Sequence, residues 1–254
     1  MMKYKFALDE MTTKIEILEE EFRYVHEYNP IENIASRLKT PESLLLKVQR
    51  KQLPINIHEI KKHIMDIAGV RINCSFQKDI FLLKEMIESQ DDLKVIEVKD
   101  YITQPKPNGY RSMHIIVEVP VYLSNCRECI PVEIQIRTVA MDFWASLEHK
   151  IFYKFEKEVP SEMTTELKKV ADTAAELDQQ MEALHNESLK YTTEADESQL
   201  FGSLRFDQER LQLPNELLNS LSALQEKKKI RNISLVRDVF LLLNISKKSS
   251  LLVS

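Results

Sequence analysis

Three short polar signatures stand out in this chain, each at the edge of an apolar, β-rich run: Asp66-Ile-Ala-Gly-Val-Arg71, Pro107-Asn-Gly-Tyr-Arg-Ser112 and Glu133-Ile-Gln-Ile-Arg-Thr138. Together they bring two well-spaced acids, several fixed cations and an aromatic ring expected to be exposed. Carboxylates can hold a divalent cation or take a proton, cations offset phosphate charge, and an aromatic ring stacks on a base. That is equipment for moving phosphoryl groups between two nucleotides.

Further cations lie upstream. Thr40-Pro41-Glu42 reads as a helix start, with Thr as N-cap, Pro at the first helical position and an acid in the first turn. On the helix that follows, to about Lys51, Ser43, Lys47 and Arg50 recur at i, i+4 and i+7 and share one face. Ser43 falls in the first turn, where free N–H groups and the helix dipole favour an anion. A polyphosphate would suit that stripe, and so would plain solvation. Leu44, Leu45 and Val48 point elsewhere and are expected to anchor the helix.

A strand is expected over 69–76, with Val70, Ile72, Cys74 and Phe76 on one face and Arg71 on the other. On an unbroken strand Asp66 would point opposite to Arg71, so either the strand begins after Gly69 or a bulge re-aims the chain there. Glu133, Gln135 and Arg137 share a face of another strand, whose other side shows Val132, Ile134 and Ile136. The same pattern fits a solvent-facing sheet. In the loop from Lys99 to Ser112, two prolines and Asn108-Gly109 define turns that would present Tyr110. Lys106, Arg111 and His114 would then surround the phosphates or sugar of the stacked nucleotide.

Composition narrows the options. The 254 residues suit one large domain, or a domain with an extension, and are 43% hydrophobic and 30% charged. No apolar run could span a membrane, the N-terminus does not look like a signal peptide, and three cysteines favour a reducing cytoplasm. With only Gly69, Gly109 and Gly202, neither a dinucleotide fingerprint nor a Walker-type loop can be present. Side chains and a helix end must hold any phosphates, and Gly69 and Gly109 are expected to mark special geometry. Residues 37–71 carry eight Lys/Arg against three acids, and residues 155–200 carry twelve acids against four. A basic block inside an acidic protein fits a confined anion better than a long nucleic-acid track.

Apolar periodicity predicts helices over about 9–28, 40–51, 79–89, 138–155 and 161–186, and strands over 69–76, 94–101, 112–121 and 130–137. The order implies an α+β fold, a mixed β-sheet flanked by helices, with helical terminal extensions. Residues 191–206 read as a linker. Beyond it, Asn215 is expected to cap a helix to about Lys228, and Val236–Leu243 is a short apolar run.

The motifs and their order resemble the nucleotidyltransferase-like synthetase domain of the RelA/SpoT superfamily. The resemblance covers about residues 5–190, from Tyr4-Lys-Phe-Ala-Leu8 through Asn29-Pro30, Asp66–Arg71 and Pro105–Ser112 to Met141-Asp-Phe-Trp-Ala-Ser-Leu-Glu-His149. The last motif looks most like the RelP/YwaC-like branch of small alarmone synthetases. The resemblance implies an ATP:GTP (or GDP) 3′-pyrophosphotransferase that makes pppGpp or ppGpp and AMP for the stringent response. It implies a synthetase domain over 1–190, Mg²⁺ as cofactor, and a cytoplasmic homotetramer without membrane or RNA binding. By the same resemblance Arg37 and Arg71 hold the ATP adenine, with Lys39, Ser43, Lys47 and Arg50 near its phosphates. Lys106, Asn108, Tyr110, Arg111, His114, Gln135 and Asp142 fall to GTP or GDP, Tyr110 stacking on guanine. Asp66 and Glu133 are the metal and catalytic acids, Glu133 as either metal ligand or proton acceptor. Asp142 stands where another branch has Asn, and a carboxylate there can accept N1–H and the exocyclic amine of guanine. No His-Asp dipeptide is present, so the hydrolase activity of bifunctional relatives is not expected.

Two rivals stand beside this reading. A nucleotidyltransferase of related fold would attack the α-phosphorus and release pyrophosphate, but the chain lacks an Asp-x-Asp pair and a Gly-Ser loop. A catalytically silent RNA-binding regulator would use the basic block, but both acids are retained. Cys126-Arg-Glu-Cys129 is a lone CxxC in an expected hairpin, incidental or half of a cross-subunit metal site. Residues 191–254 are a linker and extension outside the resemblance, expected to dock on the main domain or on another subunit.

Overall fold

The computed structural model describes residues 1–26, 28–152, 160–192, 203–206 and 209–212. Its elements are α1 (Met2–Val25), β1 (Ile31–Leu38), α2 (Pro41–Arg50), α3 (Ile57–His63), β2 (Ala68–Cys74), α4 (Gln77–Glu88), β3 (Lys94–Asp100), β4 (Met113–Tyr122), β5 (Arg127–Thr138), α5 (Val139–Phe152), α6 (Ser161–Thr192), β6 (Ser203–Phe206) and β7 (Glu209–Gln212). One unit comprises Met1–Arg23 and Tyr28–Ser188. A second takes Tyr24–Glu27 and the chain from Leu189 on, and in it β6 and β7 pair antiparallel.

Five strands of the first unit form a mixed sheet in the order β1-β2-β5-β4-β3. β2 and β5 run parallel, joined by the long crossover through α4, β3 and β4, and every other neighbouring pair is antiparallel. The expected α+β architecture is therefore present. Strand alternation sorts the two faces. Ala68, Val70, Ile72 and Cys74 of β2, Met113, Ile115, Val117 and Val119 of β4, and Val132, Ile134 and Ile136 of β5 are buried on one side. The stripe Tyr4, Ala7, Leu8, Met11, Ile15, Leu18 and Phe22 of α1, with Ile80, Leu83 and Ile87 of α4, closes over that side as one core. Each Val, Leu, Ile, Phe or Met among them contributes about 1.5–3 kcal/mol when fully buried. The other face carries Arg71 and Asn73, Glu133, Gln135 and Arg137, and His114.

Several elements depart from the sequence reading. α1 begins at Met2, because Tyr4, Ala7 and Leu8 extend its stripe about two turns earlier than expected, and it ends at Val25. β1 was not expected: it is an edge strand in which only Ile31 is buried, so its sequence alternates weakly. α3 was also missed, being seven residues with none buried. β2 stops at Cys74, and Phe76 is the N-cap of α4 instead of a strand residue. Asp79, expected as the cap, sits three residues further on and accepts the Phe76 N–H at 3.0 Å, half of a capping box. α6 continues to Thr192, past the expected end near Asn186. On α2, Leu44 and Val48 pack inward as expected, but Leu45 is 48% exposed and does not anchor the helix. Residues 203–206, read as linker, form β6. The expected helix at 215–228 and apolar run at 236–243 lie outside the described residues, as does the stretch 153–155. Cys126 and Cys129 are exposed in the β4–β5 hairpin.

Candidate active site

Asp66 lies just before β2. The Lys39 N–H donates to the Ile67 carbonyl at 2.8 Å, which fastens the end of β1 beside the entry to β2. The irregular stretch 64–67, not a bulge, sets the direction of Asp66, and Gly69 lies within the regular strand. α2 starts as the sequence predicts, with the Ser43 N–H donating to Thr40 Oγ1 at 3.2 Å. One turn on, Lys47 reaches back to Asp66. Lys39 Nζ donates to Asp66 Oδ2 at 3.0 Å and Lys47 Nζ donates to the same oxygen. Burial pushes the Asp66 carboxyl up, yet the two ammonium groups outweigh it and hold it below the ordinary carboxylate range. Its other oxygen, Oδ1, is buried without a hydrogen-bond partner.

Glu133 lies opposite Gly69 in the β2–β5 register. Glycine there has ordinary strand geometry, and an added Cβ would meet only the Glu133 carbonyl oxygen at 3.6 Å, so the special backbone expected at Gly69 is absent. His114 Nδ1 bonds Glu133 Oε1 at 3.0 Å, and Gln135 Nε2 donates to Oε2 at 2.8 Å. Burial raises the Glu133 carboxyl, but His114 and Gln135 together bring it below its usual range, while the charge of Asp66 opposes them. The two acids thus share one electrostatic neighbourhood.

Along the same face, Arg71 stands beside Gln135 and Asn73 beside Arg137. Asp142, in the first turn of α5, ties them together. Its Oδ1 accepts from Arg137 Nη1 at 3.0 Å and pairs with Arg71 Nη1 at 3.2 Å, and its Oδ2 accepts from Asn73 Nδ2 at 3.1 Å. Burial and the neighbouring Arg137 charge lower the Arg71 guanidinium, and its buried Nε has no partner. Arg37 pairs with Gly69 across β1–β2, diagonal to Arg71 on the same face, and its charge also acts on Arg71.

Tyr110 is half-buried. Its hydroxyl bonds His114 Nε2 at 2.7 Å and accepts from Arg137 Nη2 at 2.6 Å. Arg137 lies 5.1 Å from its ring centroid and Lys106 Nζ 4.6 Å, and Tyr101 meets the ring edge-on at 6.0 Å. Burial lowers the Lys106 ammonium, although Glu133 opposes the shift. Asn108 accepts the Tyr110 N–H at 3.2 Å through its side-chain oxygen and donates to Glu148 of α5 at 3.2 Å. Gly109 does need its glycine, with φ at +89° and an added Cβ falling 2.5 Å from that of Ala171.

The structure therefore gathers Asp66, Lys39, Lys47, Glu133, His114, Gln135, Tyr110, Lys106, Arg71, Arg37 and Asp142 on or beside one face of the sheet. Ser43 and Arg50 are on the exposed side of α2. Arg111 is turned away, onto α6. Sequence reasoning missed Arg137 as the hub, linking Tyr110, Gln135 and Asp142, although its shared face with Glu133 and Gln135 was visible. It also missed Asn73, on the same parity as Arg71, and Tyr101, for which no spacing signal existed.

The site has the parts for metal-assisted phosphoryl transfer. Among the described residues no cluster of three or more metal-binding side chains forms. Mg²⁺ suits fewer, taking one or two carboxylates and completing its shell from phosphate oxygens and water. Asp66, with its partnerless Oδ1, and nearby Glu133 fit that demand.

Comparison with known proteins agrees with the site. The family model described as the region found in RelA / SpoT proteins matches residues 36–158. The GTP pyrophosphokinase YwaC of Bacillus subtilis is 51% identical over 187 residues, 74% of this chain and 89% of YwaC. The crystal structure of small alarmone synthetase 2 from Bacillus subtilis superposes with a TM-score of 0.67 at 49% identity, covering 73% of this chain and 96% of that one. That of small alarmone synthetase 1 from the same organism, bound to its product pppGpp, gives 0.68 at 37% identity, covering 72% and 93%. The chain belongs to the RelA/SpoT family, among its small alarmone synthetases.

Proposed function

We propose that this chain is a GTP pyrophosphokinase, transferring the β,γ-pyrophosphoryl group of ATP to the 3′-hydroxyl of GTP or GDP. The observation that carries the reading is the pair of carboxylates at one end of the polar sheet face, with arginines on one flank and Tyr110 on the other. The likeness to YwaC, a GTP pyrophosphokinase, supports the same reaction. Arg37 and Arg71 hold the adenine side, and Lys39 and Lys47 meet the phosphates, leaving Asp66 as they turn to the stronger anion. Tyr110 stacks on guanine. Bound Mg²⁺ would lie at Asp66, beside Glu133, and supply charge neutralisation on the transferred group.

The acceptor 3′-oxygen bonds to the β-phosphorus as the bond from that phosphorus to the α,β-bridging oxygen breaks, and AMP leaves with that oxygen. The hydroxyl proton passes to Glu133, whose lowered pKa keeps it ionised and able to accept at neutral pH. His114 and Gln135 hold its carboxylate in place. The cations around the site offset charge on the group in flight. We further propose that the enzyme works as a cytoplasmic, Mg²⁺-dependent homotetramer. Incubation with labelled ATP, GTP and Mg²⁺ tests the reading: AMP plus a 3′-pyrophosphorylated guanosine supports it, while pyrophosphate release or no turnover contradicts it.

A further inference from the structure

We infer that Arg111 is a positioning residue that locks the guanine-binding loop onto α6, and that it makes no contact with the nucleotide. The inference rests on the functional reading above. The Arg111 guanidinium donates to three acceptors: the Gly109 carbonyl at 3.2 Å, the Ala171 carbonyl at 3.3 Å and Asp172 Oδ1 at 3.1 Å. The first is in its own loop and the other two are on α6. A planar fork with five donors fits such a divided set, and a lysine ammonium does not.

The contact is close and shaped. Gly109 carries no Cβ where Ala171 presses against it, since a Cβ would sit 2.5 Å from that methyl. Beside it Trp144 of α5 donates its indole N–H to the Leu167 carbonyl of α6 at 3.0 Å. Trp144, Ala145, Leu167 and Ala171 form a small apolar cluster on which Tyr110 packs. Inside the loop, Gly109 N–H donates to the Lys106 carbonyl at 2.8 Å and Lys106 N–H to that of Tyr110 at 3.1 Å. A loop so tied moves as one body, so α6 fixes where the Tyr110 ring stands. The helix begins at Ser161, beyond the 36–158 span that the family model matches. The guanine subsite thus depends on a support outside the matched region. Positioning errors of about an ångström are enough to weaken a site strongly.

The test is calorimetric binding of GTP, GDP and a non-hydrolysable ATP analogue to the full chain and to Arg111→Ala, Arg111→Lys and Asp172→Ala. Arg111→Ala is expected to weaken GTP and GDP by the same factor, about tenfold, with the ATP analogue unchanged. Arg111→Lys should fail to restore binding. Emission of Trp144, the single tryptophan, reports whether α6 stays docked. A loss larger for GTP than for GDP, or rescue by lysine, would mean a direct phosphate contact and overturn the proposal while leaving the function intact. If Arg111→Ala does not fold, the exposed change Asp172→Ala decides: equal weakening of both guanine nucleotides supports the lock, and no change overturns it. A wild-type chain that binds neither guanine nucleotide overturns the function and the lock together.

Discussion

Tyr110 and Arg71 sit on opposite sides of the Arg137–Asp142 pair, and their substitution separates the two nucleotide subsites. Tyr110→Ala removes a stacking surface and is expected to cost on the order of 1–3 kcal/mol in guanine-nucleotide affinity, with little change for ATP. Arg71→Ala should do the reverse. Calorimetry for each nucleotide checks both, and equal weakening of both nucleotides by each variant would rule out the assignment. The Asp142 bridge sets a limit on that independence. Its carboxylate is occupied by Arg71, Arg137 and Asn73, so any bond to guanine must displace one of these donors. The grouping of Tyr110, Asp66 and Glu133 in one region was legible because each stands in a dense polar motif. The role of Arg137 was not, since hydrogen bonding across the loop before β4, β5 and α5 leaves no mark in local spacing.

At the scale of elements, the helices and strands that bury a clear stripe could be read directly. Strands β2 and β5 alternate cleanly, and α2 has its Thr-Pro-Glu start. β1 and α3 escaped because edge and surface elements bury almost nothing, and the apolar pattern is the signal that was used. The direction of Arg111 also escaped, since it depends on a helix sixty residues later in the chain. That helix carries a testable electrostatic feature. Asp178 of α6 is buried against Thr138, whose hydroxyl donates to it, and Glu182 lies close by. Burial and then the Glu182 charge raise its pKa, while the Thr138 bond partly offsets them. A carboxyl with a raised folded pKa binds protons more readily folded than unfolded. Its contribution to stability therefore falls as pH rises from about 4 through the raised folded value, then levels off. Asp178→Asn should raise the melting temperature at about pH 8 and make little difference near pH 4. Thermal melts across that range check it, and a variant less stable at both ends would contradict this account of how α6 is held.

For the whole molecule, exposed apolar side chains bear on assembly. Val139, Phe143, Leu147 and Ile151 follow one another at four-residue steps along α5, and Val170, Leu177, Met181 and Leu184 line α6, all exposed in the single chain. Such stripes exceed what scattered surface residues explain and fit burial between subunits. Light scattering is expected to give a tetramer for the full chain, and the same measurement after truncation beyond Leu200 shows whether the C-terminal extension contributes. A monomer in both would remove the tetramer from the account.

The central claim is pyrophosphoryl transfer with Glu133 taking the acceptor proton, and one measurement meets it directly. ATP labelled at the γ-phosphorus is incubated with GTP and Mg²⁺, using wild-type chain and Glu133→Gln. The wild type should move the label onto a 3′-pyrophosphorylated guanosine with equimolar AMP. Glu133→Gln should bind both nucleotides as before yet turn over almost nothing, because an amide can neither accept the proton nor hold a metal as a carboxylate does. Label released as pyrophosphate, or a fully active Glu133→Gln, would contradict it.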